Sequence, residues 1–370
     1  MSNQTPTSPG PALAVIIPTR NERDNIVPLY ERLRVVLQGI DWEAIVVDDD
    51  SADGTVDAVR QLAAGDRRVR LLRRLDRRGL SSACIEGIQA STAPFVGVID
   101  GDLQHDESLL PRMFAALRDE PVDIVVGSRY VADGGVGDWS RKRARLSLLA
   151  TWLGQRILRA QVSDPVSGFF MLRRDAFDAA SRRLSTLGFK ILIDILASSP
   201  RPLRVKELAY QFRTRHAGES KFDASIGVEY LILLIDKMIG HLLPIRFVLF
   251  ALIGGVGILA HVAILWFFLE PLRQSFPVSQ TAATVIAMVA NFTLNNWLTY
   301  RDMRLSGWRW VGGLISFSLI CGIGAAANIG VASVLFGEGQ SSWWLAGIAG
   351  AAMSLVWNYT ITSMVTWRRW

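Results

Sequence analysis

Asp100 and Asp102 stand one residue apart, and Gln104 follows two residues later in the stretch IDGDLQHDE. Three oxygen donors so close on one loop suit a hard divalent cation, Mg2+ or Mn2+, whose other positions go to phosphate oxygens. An Asp-x-Asp alone is weak, because many are solvated turn aspartates. Here it leaves the apolar run VGVID, and two more polar clusters leave apolar runs upstream: PTRNERDN after Leu13–Pro18 and VVDDDSADGT around Asp48. Three such endings together point to a metal–nucleotide site.

The elements that must position these clusters are short β-branched runs alternating with amphipathic stretches. Leu13–Pro18, Ala44–Asp48, Val69–Arg73 and Phe95–Asp100 read as strands, with helices between them to about Gly39, from Asp53 and through Gly87. Such alternation predicts an open, largely parallel sheet with helices on both faces. Ligands then bind at the carboxyl ends of the strands, where all three clusters fall. Asp53 and Gly54 read as turn formers, and Asp48 could simply cap its own turn.

Charge divides the chain. Residues 1–246 hold 34 Lys+Arg and 31 Asp+Glu, whereas 247–370 hold nine charged residues, too few for the surface of a soluble domain. A purely soluble enzyme is excluded, and the +3 of each part argues against a nucleic-acid binder. Cys84 and Cys321 are too far apart for a disulfide framework or a zinc site. The polar, Pro-rich start followed by the short run Leu13–Ile17 is no signal-peptide core, so the first domain is expected to stay cytoplasmic.

Four stretches are long and apolar enough to cross a hydrocarbon layer: Phe247–Leu269, Val278–Leu298, Val311–Phe336 and Trp343–Val365. Arginine concentrates in 299–310 and the C-terminal tail, which places both termini and the middle loop on the cytoplasmic side. A shift of 67 residues superposes Gly255 on Gly322, Gly257 on Gly324, His261 on Asn328, Asn291 on Asn358, Thr299 on Thr366 and Tyr300 on Trp367. Two hairpins, 247–301 and 314–368, are therefore expected about a pseudo-two-fold axis along the membrane normal. Their glycines would allow close helix approach, and their His and Asn side chains either bond between helices or line a path for a lipid headgroup. Ahead of them Ile226, Tyr230, Leu233, Leu234 and Lys237 recur at helical spacing, predicting an amphipathic interfacial helix over 223–246.

PTRNE, VDDDSADGT, DLQH, VVGSRY, GGVGDWSRKR, SDPVSGF, GFKILIDIL and RHAGESK occur in the order found in polyprenol-phosphate glycosyltransferases of family 2. The sequence is closely similar to the dolichyl-phosphate mannose synthase group, and FALIGGVGILAHV and NFTLNNWLTYR resemble the four-helix membrane domain fused to such enzymes. Arg20 stands where the family usually has an aromatic residue, and Asp106 where it usually has Pro. The resemblance implies an α/β GT-A (Rossmann-like) catalytic domain over 12–222 after a disordered 1–11, then the interfacial helix and an all-α four-helix transmembrane domain over 247–370.

The resemblance further implies inverting transfer of a hexose to a dolichyl or undecaprenyl monophosphate. The wording DLQH, GGV-x-x-W-x-x-KR and GESK favours mannose from GDP-mannose. UDP-glucose or another nucleotide sugar as donor remains the first alternative, and a lipid-linked sugar translocator with a nucleotide-sugar binding module the second. A phosphate monoester is already an oxyanion, so no nucleophile-activating base is needed, and the charge to be stabilised is on the departing nucleoside diphosphate. Position by position, Pro18, Glu22, Asp48, Asp49 and Asp100 would line the nucleotide, and Asp100, Asp102 and Gln104 the metal. Arg129, Arg143 and Ser147 would hold the acceptor phosphate, with Arg215 and Lys221 closing over the phosphates; Asp102, Arg129 and Arg215 carry the catalytic roles. Arg141, Lys142 and Arg145 can equally form a basic face near anionic headgroups. Asp164, Ser167 and Gly168 are either structural or sugar-contacting, and His105 and His216 read as loop residues.

Overall fold

Strand β1 (Leu13–Thr19) is buried along its whole length, and its side chains divide by parity between two cores. Leu13, Val15 and Ile17 join Ala44 and Val46 of β2 (Trp42–Asp48) on one face; Ala14 and Ile16 join Ile45 and Val47 on the other. A strand with both faces covered reads as a continuous apolar run, which is what LAVII is. The computed structural model describes residues 10–75, 79–136, 141–158, 160–185, 190–214, 224–239, 243–337 and 343–368.

The chain divides into two compact units, 1–239 and 240–370. In the first, β3 (Val69–Arg73), β4 (Phe95–Val98), β5 (Ile124–Ser128), β6 (Phe170–Arg173) and β7 (Val205–Ala209) complete a seven-stranded sheet of order β3-β2-β1-β4-β6-β5-β7. All pairings are parallel except those of β6, which runs antiparallel to β4 and β5. Helices α1 (Arg23–Val36), α2 (Thr55–Gly65) and, later in the chain, α4 (Leu110–Asp119) bury Leu29, Val59 and Met113 on one face. The other face is covered by α3 (Leu80–Gln89), α6 (Arg174–Ser181) and α7 (Ile191–Ser198) through Cys84, Phe177 and Leu192. Between β5 and β6 lies α5 (Arg141–Gln155), and α8 (Ala224–Ile239) ends the unit.

The apolar side of α8 faces inward. Tyr230, Leu233 and Leu234 are buried with Val166 and Ile193, and the Tyr230 hydroxyl donates to the Ala150 carbonyl at 2.6 Å. Lys237 is ion-paired at 2.5 Å with the fully buried Asp194 of α7. These side chains were expected to face a membrane; Leu231 and Met238 are the exposed apolar ones instead. Helical periodicity marks a buried stripe but does not say which surface covers it.

In the second unit α9 (Ile245–Leu269) packs along α10 (Phe276–Leu294), and α11 (Trp308–Gly337) along α12 (Trp343–Val365). Among the described residues two stretches, Ile245–Leu269 and Trp308–Gly330, are long and apolar enough to span a membrane by length and composition. Contacts respect the 67-residue repeat. Tyr300 stacks on its own counterpart Trp367 at 4.0 Å and 7°, and Phe250 meets its counterpart Phe317 at 6.4 Å. The exchanged pairs Phe250–Tyr359 and Phe317–Phe292 lie at 5.8 and 5.5 Å. Each second helix ends in a wide turn, Tyr300 N–H donating to Asn295 and Trp367 N–H to Thr362, which swings both rings inward. A methyl group on Gly257 would stand 3.1 Å from Asn291 Nδ2, and one on Gly324 would collide with the equivalent Asn358. Small residues thus let each hairpin close around an amide.

Candidate active site

Strand order reverses between β1 and β4, so the crevice beyond their carboxyl ends is where an open sheet binds ligands. Backbone strain gathers there. Asn21, Asp50, Leu103 and Asp133 adopt positive φ of 58°, 55°, 62° and 70° in the loops after β1, β2, β4 and β5. Non-glycine residues persist in that conformation only where their surroundings hold them, which marks functional loops.

The first two loops are stitched together. Pro18 pairs with Val47 in the ladder; Asp49 N–H donates to the Thr19 carbonyl at 3.0 Å, Asn21 N–H to Ser51 Oγ at 2.8 Å and Glu22 N–H to Thr55 Oγ1 at 2.9 Å. Asp48 is fully buried and caps its turn, accepting from Ser51 N–H at 2.9 Å, Ser51 Oγ at 2.5 Å and Thr19 Oγ1 at 3.2 Å. Asp49 accepts from Gly79 N–H at 2.8 Å and is ion-paired at 2.6 Å with Arg74, whose side chain is 3% exposed. Burial raises the Asp49 carboxyl above the usual range against those bonds. Both aspartates therefore shape the crevice through the framework, and Arg74, unmarked by any sequence motif, is part of it. Glu22, at the start of α1, accepts from Asn25 Nδ2 at 2.7 Å.

The loop after β4 is folded over Leu103. Gln104 N–H donates to Asp102 Oδ1 at 3.2 Å, and Gln104 Nε2 to the Arg213 carbonyl at 3.1 Å, which turns the amide oxygen away from Arg213. Arg213 returns its N–H to the Gln104 carbonyl at 2.9 Å, and its guanidinium pairs with Glu107 at 2.6 Å and Asp106 at 2.7 Å. Asp106 also caps the short helix Glu107–Leu109 through Ser108 N–H at 3.2 Å. This dual use gives Asp106 a structural role in the loop. Arg213 ties the start of the segment bearing Arg215 and Lys221 to the Asp102–Gln104 loop; Arg215, His216 and Lys221 themselves lie outside the described residues. Asp102 and Gln104 are 7% and 9% exposed. Among the described residues no cluster of three His, Cys, Asp or Glu could bind a metal unaided. Two carboxylates and an amide oxygen fit a hard cation that takes its other ligands from a diphosphate.

Because β6 is antiparallel, the segment leading into it, 164–169, arrives at this same edge, between the ends of β4 and β5. Asp164 there is fully buried and bidentate to Arg129, with Nε and Nη2 each 2.7 Å from a carboxylate oxygen; Arg129 N–H adds a bond at 3.2 Å. Burial disfavours the Arg129 cation, but the bonds and charge of Asp164 outweigh it and raise its pKa. Glu207 of β7 accepts from the Asp164 and Ser163 amides at 3.1 and 2.8 Å. Ser167 Oγ donates to the Gly127 carbonyl at 2.8 Å. Tyr130 donates to Ser147 on α5 at 2.8 Å, joining the GSRY loop to that helix. Arg143 lies one turn before Ser147; its side chain, with those of 141, 142 and 145, is outside the described set.

His105 is 3% exposed and boxed by Phe169, stacked at 5.2 Å, with Tyr210 at 5.8 Å and Phe212 at 5.7 Å. It is a loop residue, as its neighbours suggested, but its side chain is buried in the core. Burial pushes its pKa down to about 4. The unfolded chain then binds the extra proton between about pH 6.5 and 4. Stability contributed by neutral His105 is present above that window and falls as pH drops through it. Denaturant titrations should show a loss on the order of 2 kcal/mol from pH 7.5 to 5, and His105→Phe should flatten that dependence; an equal slope in the variant would assign it elsewhere.

Residues 14–180 match glycosyl transferase family 2, and 249–367 match the GtrA/DPMS transmembrane domain. A dolichol-phosphate mannosyltransferase of Pyrococcus furiosus is 34% identical over 359 residues, spanning 96% of this chain and 99% of that protein. The chain belongs to the dolichol-phosphate mannosyltransferase family. It is a glycosyltransferase with a GT-A fold and a membrane domain. The Saccharomyces cerevisiae dolichol-phosphate mannosyltransferase is 34% identical over 227 residues, 59% of this chain and 84% of that one. A solved glucosyl-3-phosphoglycerate synthase from Mycobacterium tuberculosis, crystallised with Mn2+, UDP-glucose and phosphoglyceric acid, is a looser likeness. It is 19% identical with a TM-score of 0.47 and covers 62% of this chain and 80% of that chain.

Proposed function

We propose that the protein transfers mannose from GDP-mannose to a polyprenyl monophosphate, dolichyl or undecaprenyl, with inversion, at the cytoplasmic face of a membrane. The observation that carries this reading is the placement of Asp100, Asp102 and Gln104 at the β1/β4 switch point of a chain whose full-length relative is a mannosyltransferase. Asp100, Asp102 and the Gln104 amide oxygen would hold Mg2+ or Mn2+ against the donor diphosphate; when bound, the cation offsets charge on the departing GDP. Pro18, Glu22, Asp48 and Asp49 line and shape the nucleoside side, the last two through the bonds that hold their loop.

On the acceptor side Asp164 holds the Arg129 guanidinium through Nε and Nη2, fixing the cation that would meet the acceptor phosphate. Arg143 and Ser147 on α5 flank the same phosphate, and Arg215 and Lys221 close over both anions. An acceptor phosphate oxygen forms the new bond to the sugar anomeric carbon as the bond to the GDP β-phosphate oxygen breaks. The electron pair leaves with GDP, and no proton has to move. Neutralising and orienting the two anions as they approach is the task left to the arginines.

The exposed Leu148, Leu149 and Trp152 of α5, with Leu231 and Met238 of α8, form apolar surface on two helices that pack together, suited to lie at headgroup level. Four crossings, with the Arg246, Arg301, Arg304 and Arg368 end cytoplasmic, follow from the charge bias. Purified protein in lipid should make polyprenyl-phosphate mannose from GDP-mannose and nothing from UDP-glucose. Product from UDP-glucose alone overturns the donor, and product from neither, with headgroup movement across vesicles, favours a translocator.

A further inference from the structure

Asp100 follows β4, and its carboxylate is approached by a residue from the segment before β6 and by one five positions on in its own loop. On one side is Gly168. A Cβ built there would stand 2.7 Å from Asp100 Oδ2 and 3.3 Å from Oδ1. On the other side is His105, whose Nδ1 accepts the Asp100 N–H at 3.3 Å. That bond leaves the ring proton on Nε2, which stands 3.8 Å from Asp100 Oδ2. The two sides are mechanically one, because Phe169, next to Gly168, is the ring stacked on His105 at 5.2 Å and 12°.

The Gly168 side is also immobile. Ser167 Oγ donates to the Gly127 carbonyl at 2.8 Å, and Gly127 N–H donates to the Phe169 carbonyl at 2.9 Å. The residues on both sides of Gly168 are thus pinned to β5, so a methyl group there cannot be relieved by sliding the backbone. The movable partner is the Asp100 carboxylate. Gly168 does not have positive φ, so alanine meets no left-handed backbone penalty.

We infer that Gly168 and His105 are positioning residues that form a slot for the Asp100 carboxylate, Gly168 by lacking a Cβ and His105 through its Nδ1 bond and aromatic seat. The slot sets where the Asp100 oxygens meet the metal and diphosphate, and so deepens the proposed reading, on which it rests. Side chains that orient a metal-binding group change metal affinity by about 10–100-fold when altered.

The test is Mn2+ binding by the purified full chain in detergent with GDP present, read from the paramagnetic signal of free Mn2+, beside thermal unfolding. Gly168→Ala should weaken Mn2+ binding about tenfold or more while melting with the wild type, because the clash falls on a side-chain tip. His105→Phe, which keeps the stack, should weaken it similarly, and His105→Asn, whose amide oxygen can accept the Asp100 N–H, should recover most of the loss. Asp100→Asn is the reference. If it binds Mn2+ like the wild type, Asp100 is no metal residue and the slot positions nothing. If it binds weakly while Gly168→Ala and His105→Phe bind normally, the slot inference alone is overturned. Should Gly168→Ala also lose stability, the two His105 variants decide, equal binding by both being the overturning result.

Discussion

Asp102→Ala is expected to lower the rate of mannosyl transfer by about 10³-fold or more at saturating donor and acceptor. The side chain is 7% exposed in the fold of the loop, and its Oδ1 already orders that loop by accepting Gln104 N–H. Alanine removes both the charge proposed to face the diphosphate and the bond that places Gln104. Asp102→Asn separates these roles, since the amide oxygen still accepts from Gln104 but carries no charge. Both variants should lose turnover, and only the alanine variant should also loosen the loop, visible as faster amide exchange at 103–105. Turnover within tenfold of wild type in either variant removes Asp102 from its assigned place. Raising Mn2+ should not rescue the alanine variant at any concentration that leaves the wild type active.

Asp164→Ala is expected to cost about 3–5 kcal/mol of stability, because it strands the buried Arg129 cation. The pair is 7% and 0% exposed in its side chains, so no solvent screens the loss. Replacing both partners with apolar residues of similar volume, as in R129M/D164L, should recover most of that stability, since an apolar pair needs no desolvation of charge. Activity should not follow. With Arg129 gone, the KM for polyprenyl phosphate should rise about tenfold or more, the worth of a charge-assisted hydrogen bond. A stable double variant with wild-type acceptor KM would confine Arg129 to holding the loop after β5. A single Asp164→Ala as stable as wild type would mean that water reaches the pair.

Much of this was legible along the chain because the signals are local. The apolar runs at Leu13–Pro18 and Ala44–Asp48 announce strands, the polar clusters after them announce loops at one sheet edge, and Asp100, Asp102 and Gln104 sit within five residues of each other. The 67-residue repeat was equally readable, but that its equivalent rings Tyr300 and Trp367 stack on each other is seen only in the fold. What periodicity could not supply was the identity of the surface each stripe meets. The Tyr230–Leu233–Leu234 stripe has the spacing of a membrane-facing helix and is buried instead against Val166 and Ile193.

By itself the sequence determined the division into a charged and an uncharged part, the alternating α/β elements, the duplicated hairpins and the carboxylate loop, all of which depend on residue type at short spacing. Only the tertiary structure decided how the charges pair. Arg74 reaches back to Asp49, Asp164 to Arg129, and Gly168 and Phe169 close on Asp100 and His105. For Asp164, Gly168 and Phe169 the cause is the antiparallel entry of β6 between β4 and β5, which delivers residues 164–169 to the carboxyl edge of strands that precede them by tens of residues. Strand order is a property of the whole packed sheet, so no local pattern could reveal which aspartate would orient an arginine.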